Sequence, residues 1–293
     1  MNDDARDATA AEPAKSVKDR ALSFGGVADA YDRGRPAYPR EAAAWLTADA
    51  PVTVLELGAG TGKLTGQLVA LGHDVHATDP DAAMLAKLSD RLPEVRTSQA
   101  SAEEIPAGDR SYDVVVCAQA FHWFDHARAL PEIARVLKPG GHLSLVWNQR
   151  DERVPWVRKL GAIIGTQDQL REPAAVLDAS SLFDEVEEAE FRFRQQVDQH
   201  SIKDLVLSRS NIVTLSPDER ETRLAAVSAL YADYGRGMDG MQLPYAARCF
   251  RSRVLDRPAS YSGTTETSSV PEDTQPMRTS DGSETDMLLI DFR

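Results

Sequence analysis

The stretch that decides the fold is Val54-Leu-Glu-Leu-Gly-Ala-Gly-Thr-Gly62, an apolar run that leads directly into a glycine-rich turn. Its hydrophobic pattern predicts a buried strand over Pro51–Leu57 and a helix over Lys63–Leu71, with the leucines of the helix on one side. Glycines allow positive φ and let the backbone approach a ligand without a Cβ clash. Because a helix N-terminus presents free N–H groups, the turn predicts a site for a ligand with a negatively charged group.

Three kinds of glycine-rich turn compete at this position. A phosphate-binding P-loop requires G-x-x-x-x-G-K-[ST], but Leu57 and Leu64 stand where glycine and a hydroxyl residue are needed. A nicotinamide dinucleotide turn requires G-x-G-x-x-G, but Lys63 stands where the third glycine is needed. The third pattern, G-x-G-x-G with the acidic residue Glu56 ahead of it, is present in full.

Strand-type and helix-type segments alternate after the turn. Strands are predicted over Asp74–Thr78, Val95–Thr97, Tyr112–Ala118 and His142–Trp147, and helices over Ala82–Leu92 and Ala129–Leu137. Pro131 favours a start of the second helix at that residue, with the proline in the first turn. Tyr112–Ala118 is continuously apolar, which is typical of a strand covered on both faces. The alternation predicts a doubly wound parallel sheet.

The second half of the chain predicts elements that complete this sheet. Val186–Val197 alternates apolar and charged residues, so one face of that strand meets water. Ser216-Pro-Asp-Glu219 is a helix start, and we expect Tyr231 and Tyr234 of its helix in the core. Met241–Phe250 is the last strand, with Pro244 tolerable near the strand start or at an edge. The helical segment 151–181 is expected over the carboxyl ends of the strands.

These motifs, in this order, resemble class I S-adenosylmethionine (SAM)-dependent methyltransferases over roughly residues 20–250. The resemblance rests on the glycine turn, Asp79 after the second strand, Ala102-Glu103 after the third, Ala118–Phe124 after the fourth and a turn at Lys138–Gly141 before the fifth. It implies a Rossmann-like sheet of seven strands, mostly parallel with an antiparallel last strand, and helices on both faces. Phe24–Pro39 and Gln119–Phe124 resemble the methyltransferase type 11, trans-aconitate methyltransferase-like branch, which methylates small carboxylates.

The resemblance also implies a role for each site residue. Gly58, Ala59, Gly60 and Gly62 would shape the turn beside the methionine part of SAM, and Glu56 would orient the turn or meet the amino group. Asp79 would bind the ribose, Pro80 or Met84 would pack on the adenine, and Ala102 N–H and Glu103 would read the edge of the adenine. Gln119 would line the methionine end, and Tyr31 and Arg35 would close over SAM from above. His122 and Trp123 would face the point of methyl transfer. No metal is required.

Structural interpretations compete with several of these roles. Glu56 can be an internal hydrogen-bond acceptor, His122 a loop residue satisfied by a carbonyl, and Trp123 a packing residue. Asp79 is harder to explain in this way, because a carboxylate at a buried strand end is costly unless something pairs with it. Asp113 is expected to bind local backbone N–H groups, and Cys117 to act as a small apolar core residue.

Composition limits the kinds of partner that the protein is expected to bind. The chain has 293 residues and a formal net charge of −13, which argues against nucleic acid or an anionic membrane surface. It has two cysteines, no apolar run long enough to span a bilayer and no apolar leader, so we expect a cytoplasmic monomer or homodimer acting on a small molecule. The alternatives are an NAD(P)-dependent oxidoreductase on a similar sheet and a non-catalytic SAM-binding protein.

The domain limits follow from the same patterns. Residues 1–20 are expected to form a flexible arm and residues 257–293 a disordered tail, because neither has a periodic apolar face. Residues 21–256 form the predicted methyltransferase domain. Its core covers 50–150, while 21–45 and 151–181 are expected to cover the bound ligands.

Overall fold

The computed structural model describes residues 28–47, 50–165, 173–235 and 240–255. Its strands are β1 (Thr53–Leu57), β2 (Asp74–Asp79), β3 (Arg96–Gln99), β4 (Tyr112–Ala118), β5 (Leu137–Arg150), β6 (Glu187–Val197) and β7 (Met241–Arg253). They form one seven-stranded sheet in the order β3-β2-β1-β4-β5-β7-β6. Strands β1 to β5 pair in parallel, and β7 is antiparallel to both β5 and β6. The predicted Rossmann-like fold, with an antiparallel last strand, is confirmed.

Helices connect the strands. They are α1 (Ala28–Gly34), α2 (Arg40–Leu46), α3 (Thr65–Ala70), α4 (Ala82–Arg91), α5 (His126–Val136), α6 (Pro155–Ile164), α7 (Pro173–Asp178), α8 (Ser201–Leu207), α9 (Ser210–Val213) and α10 (Pro217–Tyr234), with a 3-10 helix at Phe121–Trp123. None of the described helices is long and apolar enough to cross a membrane. The predicted arm 1–20 and tail 257–293 lie outside the described residues.

Alternating side chains of the central strands feed two different cores. Leu55 and Val115 belong to a core on one face with α5 and α7, whereas Val54 and Val114 belong to a core on the other face with α2 and α3. A third core joins α6, α8 and α10 to the first half of β7. The predicted cover 151–181 is therefore divided, because α6 belongs to the third core and Leu177 of α7 to the first.

The prediction was wrong at the start of α5. Asp125 caps this helix by accepting a hydrogen bond from Ala127 N at 3.1 Å, so the helix begins at His126 and Pro131 lies inside it. The proline is on the exposed side, and the buried residues Leu130 and Ile133 keep the helical period. The cap and the apolar face outweigh the one hydrogen bond that a proline removes.

Lys138–Gly141 was predicted to be a turn, but it lies within β5. Tyr112 pairs with Leu137 while Val114 pairs with His142, so the segment is an irregularity in the ladder between β4 and β5. A Cβ at Gly141 would lie 2.7 Å from Asp113 O, which explains why a glycine is needed there. The glycines thus allow a bulge rather than a break in the strand.

Three features of the last elements were predicted, with mixed success. Pro244 lies near the start of β7, beyond the last β5 pair, Arg150 with Tyr245, and so removes no ladder bond to β5. The capping box of α10, in which Ser216 and Glu219 bond each other's backbone, is confirmed. Tyr234 is not a core residue, because it is 43% exposed and its hydroxyl meets Lys159 Nζ at 2.8 Å.

Candidate active site

The glycine turn follows β1 with positive φ at three positions: 69° at Gly58, 56° at Gly60 and 77° at Gly62. A Cβ at Gly58 would lie 2.5 Å from Ala120 Cβ, so the turn packs closely on the segment after β4. A Cβ at Gly60 would meet nothing within 4 Å, so that glycine borders open space. Ala59, between them, is buried and donates its N–H to Thr78 O at 2.9 Å. The turn is therefore fixed on two sides and open at Gly60.

Asp79, the last residue of β2, lies against this turn. One carboxylate oxygen accepts from Gly60 N at 2.9 Å and the other accepts from Asp81 N at 2.9 Å. The residue is 9% exposed, and burial raises the pKa of its carboxyl group to about 6, although the two backbone hydrogen bonds oppose the shift. Asp79 is thus a desolvated carboxylate with its position fixed, at the carboxyl ends of the strands, where ligands bind in open α/β sheets.

Glu56 lies behind the turn and is 1% exposed. Its carboxylate accepts a hydrogen bond of 2.6 Å from Thr65 Oγ1. Burial raises its pKa to about 8, with the charge of Asp79 acting in the same direction, so the group is mostly protonated at neutral pH. The structural and the ligand interpretations of Glu56 are both compatible with this position.

The residues predicted to surround an adenine differ in their exposure. Pro80 is exposed, whereas Met84 and Ala102 are buried. Glu103 accepts a hydrogen bond of 2.8 Å from Asp125 N, at the start of α5. Burial alone would raise the pKa of Glu103, but this bond and one from Ser101 lower it. Glu103 therefore has a structural task in joining two loops, in addition to any contact with a ligand.

Gln119 was predicted to line the methionine end of the ligand, and Tyr31 and Arg35 to close over it. Gln119 has φ of 54°, and its Nε2 donates to the hydroxyl of the buried Tyr38 at 3.4 Å. The Arg35 guanidinium lies 5.4 Å from the centre of the Tyr31 ring, in cation–π contact. It also donates to Ser208 Oγ at 3.0 Å, which links this group to the segment after α8. Ser208 was not singled out by the sequence.

Asp32 joins α1 to the glycine turn. Its Oδ1 accepts from Thr61 Oγ1 at 2.9 Å and from Arg91 Nη1 at 2.9 Å. Lys63 lies 3.5 Å from the same carboxylate. The segment before β1 is thereby held over the turn, on the side where Tyr31 and Arg35 were predicted to close.

His122 and Trp123 lie in the 3-10 helix after β4, with their rings 4.6 Å apart. Burial, together with the positive charge of Arg35, lowers the pKa of His122 to about 4. Among the described residues, nothing hydrogen-bonds to its buried Nδ1. The imidazole is therefore neutral at physiological pH, and no carbonyl accounts for that nitrogen.

The structural expectations for Asp113 and Cys117 agree with their positions. Asp113 accepts from Thr53 N at 2.9 Å and from Lys138 Nζ at 2.9 Å, at the end of the sheet opposite the glycine turn. Cys117 is fully buried in the first core. Neither side chain takes part in the candidate site.

Three further residues at this end of the sheet, Arg150, Arg209 and Tyr245, were not predicted. Arg150 ends β5 and pairs in register with Tyr245 of β7. The position of Arg150 at a carboxyl strand end was a usable signal. Arg209 lies between α8 and α9, where no local pattern points to it. In the described part of the chain, no group of three or more His, Cys, Asp or Glu side chains is arranged to hold a metal ion.

Comparisons with known proteins agree with this architecture. Residues 55–145 match a family model described as a methyltransferase domain. The chain is 45% identical over 242 residues to an uncharacterised methyltransferase of Mycobacterium bovis, covering 82% of this chain and 98% of the relative. A methyltransferase structure from Anaeromyxobacter dehalogenans superposes with a TM-score of 0.56 at 25% identity, covering 76% of this chain and 99% of that one.

A more distant likeness concerns the fold alone. The phosphoethanolamine N-methyltransferase 2 of Haemonchus contortus, solved with phosphomonomethylethanolamine and S-adenosylhomocysteine (SAH), has a TM-score of 0.50 at 16% identity. The match covers 83% of this chain and 61% of that one.

The fold and the arrangement of its glycine turn define a Rossmann-like methyltransferase. This chain belongs to the methyltransferase family, with the fold of the class I, SAM-dependent enzymes. The relatives named above specify no acceptor for this chain, so the trans-aconitate methyltransferase-like branch stays a prediction.

Proposed function

We propose that this protein transfers a methyl group from SAM to an oxygen atom of a small-molecule acceptor. The observation that carries the proposal is the Asp79 carboxylate, desolvated at the end of β2 and hydrogen-bonded to Gly60 N of the glycine turn. A buried carboxylate is retained at a cost, and a ligand with paired hydroxyl donors offsets that cost. The ribose of SAM is such a ligand.

The residues around Asp79 fit the remainder of SAM. The open space at Gly60 leaves room for a ligand beside the turn. Glu56 lies behind the same turn with a raised pKa, and an ammonium group nearby would favour its ionised form. Pro80 and Met84 flank the start of α4 beside Asp79, where a planar base would pack. Tyr31, Arg35 and Gln119 would lie at the methionine end.

The chain's own residues then bind SAM, orient the acceptor and exclude water. Bound SAM supplies a methyl carbon attached to a sulfonium. The aromatic rings of Tyr31 and Trp123 suit a site for a cation, and they limit the access of water. Holding the acceptor oxygen in line with the methyl group is the main contribution that such a protein makes.

The state of His122 favours an acceptor that needs no base. With a pKa lowered to about 4, its imidazole is neutral but weakly basic at physiological pH. A carboxylate acceptor is already ionised and loses no proton on methylation, so His122 would only orient it. A hydroxyl acceptor would release a proton, for which His122 is the nearby nitrogen base in the candidate site.

Two measurements test the proposal. We expect SAH to raise the melting temperature while NAD and NADP do not, because only SAH matches the turn. Labelled SAM is then offered with small carboxylates, phenols and amines, and label is expected in the carboxylates or phenols. A shift with NAD(P) alone would favour an oxidoreductase. SAH binding with no transfer to any acceptor would favour a non-catalytic SAM-binding protein.

The remaining predictions concern the setting of this activity. The net charge of −13 supports a small-molecule acceptor rather than nucleic acid or an anionic membrane. A cytoplasmic monomer or homodimer, with residues 21–45 and 151–181 covering the ligands, completes the proposal.

A further inference from the structure

The strand β6 forms one edge of the sheet. It pairs with β7 along its whole length, from Glu187 with Arg251 to Val197 with Met241. Among the strands that the structure describes, none pairs with the other side of β6. The backbone N–H and C=O groups along such an edge are a ready template for a further strand. The free edge of β6 is therefore a candidate interaction surface.

Native sheets limit pairing at their edges by a few devices, and β6 lacks most of them. Short length is one device, and it applies to the opposite edge strand, β3, which has four residues. β6 has eleven residues and contains no proline. Its register with β7 runs without a shift, so no bulge turns the edge away. Charged side chains are the remaining device, and their order along β6 decides what this edge can pair with.

The two faces of β6 differ in chemistry. Ala189, Phe191 and Phe193 are partly buried against the second core. The alternate residues on the other face are all exposed, and two acidic residues precede two basic ones: Glu188, Glu190, Arg192 and Arg194. The exposed face of β6 is therefore negative in its first half and positive in its second half.

A second copy of β6, running antiparallel, matches this order of charges. A two-fold axis normal to the sheet keeps each face on its own side, so opposed residues come from the same face. With the axis at Phe191, Glu188 lies opposite Arg194 and Glu190 lies opposite Arg192, and each pair occurs twice. An axis shifted to a neighbouring residue opposes either Glu190 or Arg192 with its own copy. The charges therefore select a single register.

The same register matches the apolar face. Phe191 lies opposite its own copy, and Ala189 lies opposite Phe193. Aromatic pairs across neighbouring strands stabilise a sheet, as do pairs of opposite charge. Both faces of the edge are thus complementary to themselves in one antiparallel arrangement.

Ion pairs within the chain do not explain the order of these charges. Arg192 contacts Glu190 at 2.9 Å and Arg248 contacts Glu188 at 3.4 Å, but these side chains are well exposed and such pairs contribute little. Arg194 forms no ion pair with a described residue. Protection of the edge does not explain the order either, because charges of one sign would repel a second copy, whereas this order attracts one.

We propose that the free edge of β6 binds the β6 edge of a second copy of this chain, antiparallel and with the two-fold axis at Phe191. The two sheets then continue into each other. Backbone hydrogen bonds supply the attraction, and the opposed Glu–Arg pairs determine the register and the partner. None of the candidate active-site residues belongs to β6, so each copy keeps its own site.

Sedimentation velocity of the full chain over a range of concentrations tests the proposal. We expect a monomer–dimer equilibrium that weakens as salt is added, because salt screens exposed charges. Two variants reverse the charges: Glu188→Arg with Glu190→Arg, and Arg192→Glu with Arg194→Glu. Each should weaken self-association at least about tenfold, because all opposed charges become alike. An equimolar mixture of the two variants should dimerise, since every opposed pair is again a glutamate with an arginine.

The matched control is Arg96→Glu with Arg223→Glu, which changes the net charge by the same amount as the second variant. Arg96 is exposed on the other edge strand, β3, and Arg223 is exposed on α10. The control should dimerise within about two-fold of the wild type. Melting temperatures show whether each variant is folded. Should a double variant fail to fold, Glu188→Arg and Arg194→Glu are compared singly and mixed in the same way.

Three outcomes overturn the proposal. The first is a wild type that is monomeric at every concentration. The second is a dimer that neither charge reversal weakens, which would place the interface elsewhere. The third is a mixture of the two folded variants that associates no better than either variant alone, because the opposed pairs then do not exist.

Discussion

The amide of Gly60 donates a 2.9 Å hydrogen bond to Oδ2 of Asp79. This bond makes the end of β2 and the glycine turn after β1 a single unit, although the two segments are separate in sequence. Because the carboxylate is desolvated, its ionisation and its partners are sensitive to any ligand that enters beside the turn. The first two predictions follow from this relationship.

Replacing Asp79 tests the ribose contact directly. Asp79→Asn should weaken SAH binding by about 10–150-fold, since a hydrogen bond to a charged group is worth ~1.5–3 kcal/mol. Isothermal calorimetry gives the Kd. The matched control is Asp113→Asn, which removes a carboxylate at the opposite end of the sheet that binds Thr53 and Lys138. The control should lose stability and keep its SAH affinity; a folded Asp79→Asn protein with unchanged Kd would disprove the assignment.

The pH dependence of SAH binding provides an independent test of Asp79. Its pKa is raised to about 6, so the carboxylate is ionised above that pH and protonated below it. Hydroxyl donors prefer the ionised form, so SAH affinity should rise as the pH increases from 5 to 7.5. Asp79→Asn carries no ionisable group there, and its affinity should change much less over this range. Parallel pH profiles for the two proteins would contradict the prediction.

The strands of the sheet and the residues of the candidate site were predictable from the sequence to different degrees. Strands β1, β2 and β4 were predicted within two residues of their observed bounds, because apolar runs bounded by glycine or aspartate determine them locally. The bulge at Lys138–Gly141 was missed, since a glycine pair looks alike in a turn and in an irregular strand. The roles of Gly60 and Asp79 were predictable because both lie at the ends of strands: Gly60 in the turn after β1, and Asp79 as the last residue of β2. Arg209 was not, because only tertiary packing brings it beside Arg150.

Glu56 should make the protein less stable as the pH rises. Its native pKa of about 8 lies above the ordinary value of 4.5, so the native state holds a proton that the unfolded state has lost between these pH values. The free energy of unfolding should therefore fall as the pH increases from 4.5 to 8, by up to a few kcal/mol at ~1.4 kcal/mol per unit of pKa difference. Denaturant unfolding of the wild type and Glu56→Gln measures the difference.

In that comparison Glu56→Gln should be the more stable protein above pH 8, because its amide cannot ionise. The subtraction of the two curves also removes the contribution of Asp79, whose raised pKa acts in the same direction at lower pH. SAH should bind the variant more weakly if Glu56 meets the amino group. Equal stability of both proteins at every pH would mean that Glu56 is ionised in the native protein.

His122 should act by position rather than as a base. With a pKa of about 4, the imidazole does not titrate between pH 6 and 9, so the rate of methyl transfer should show no step assignable to this residue in that range. His122→Asn should lower kcat by less than about tenfold, compared with the roughly 10²–10⁴-fold expected for loss of a general base. Single-turnover transfer from labelled SAM measures this. A larger loss, together with a rate that rises through an ordinary histidine pKa, would assign base catalysis to His122.

The segment 28–40 should become more protected when SAH binds. Within it, Arg33 makes a two-point contact with Asp204 of α8, at 2.7 and 3.1 Å, and Asp32 holds Thr61 of the glycine turn and Arg91. These bonds connect two parts of the site, so a ligand between them should stabilise the segment against opening. Hydrogen exchange over 28–40, with and without SAH, measures the effect.

Asp32→Asn should speed exchange and weaken SAH binding. The control Asp29→Asn, on the same helix, breaks an exposed contact with Lys87 and should change neither, since exposed ion pairs contribute little. Equal exchange with and without SAH would make this segment permanent packing and exclude a closing role for Tyr31 and Arg35.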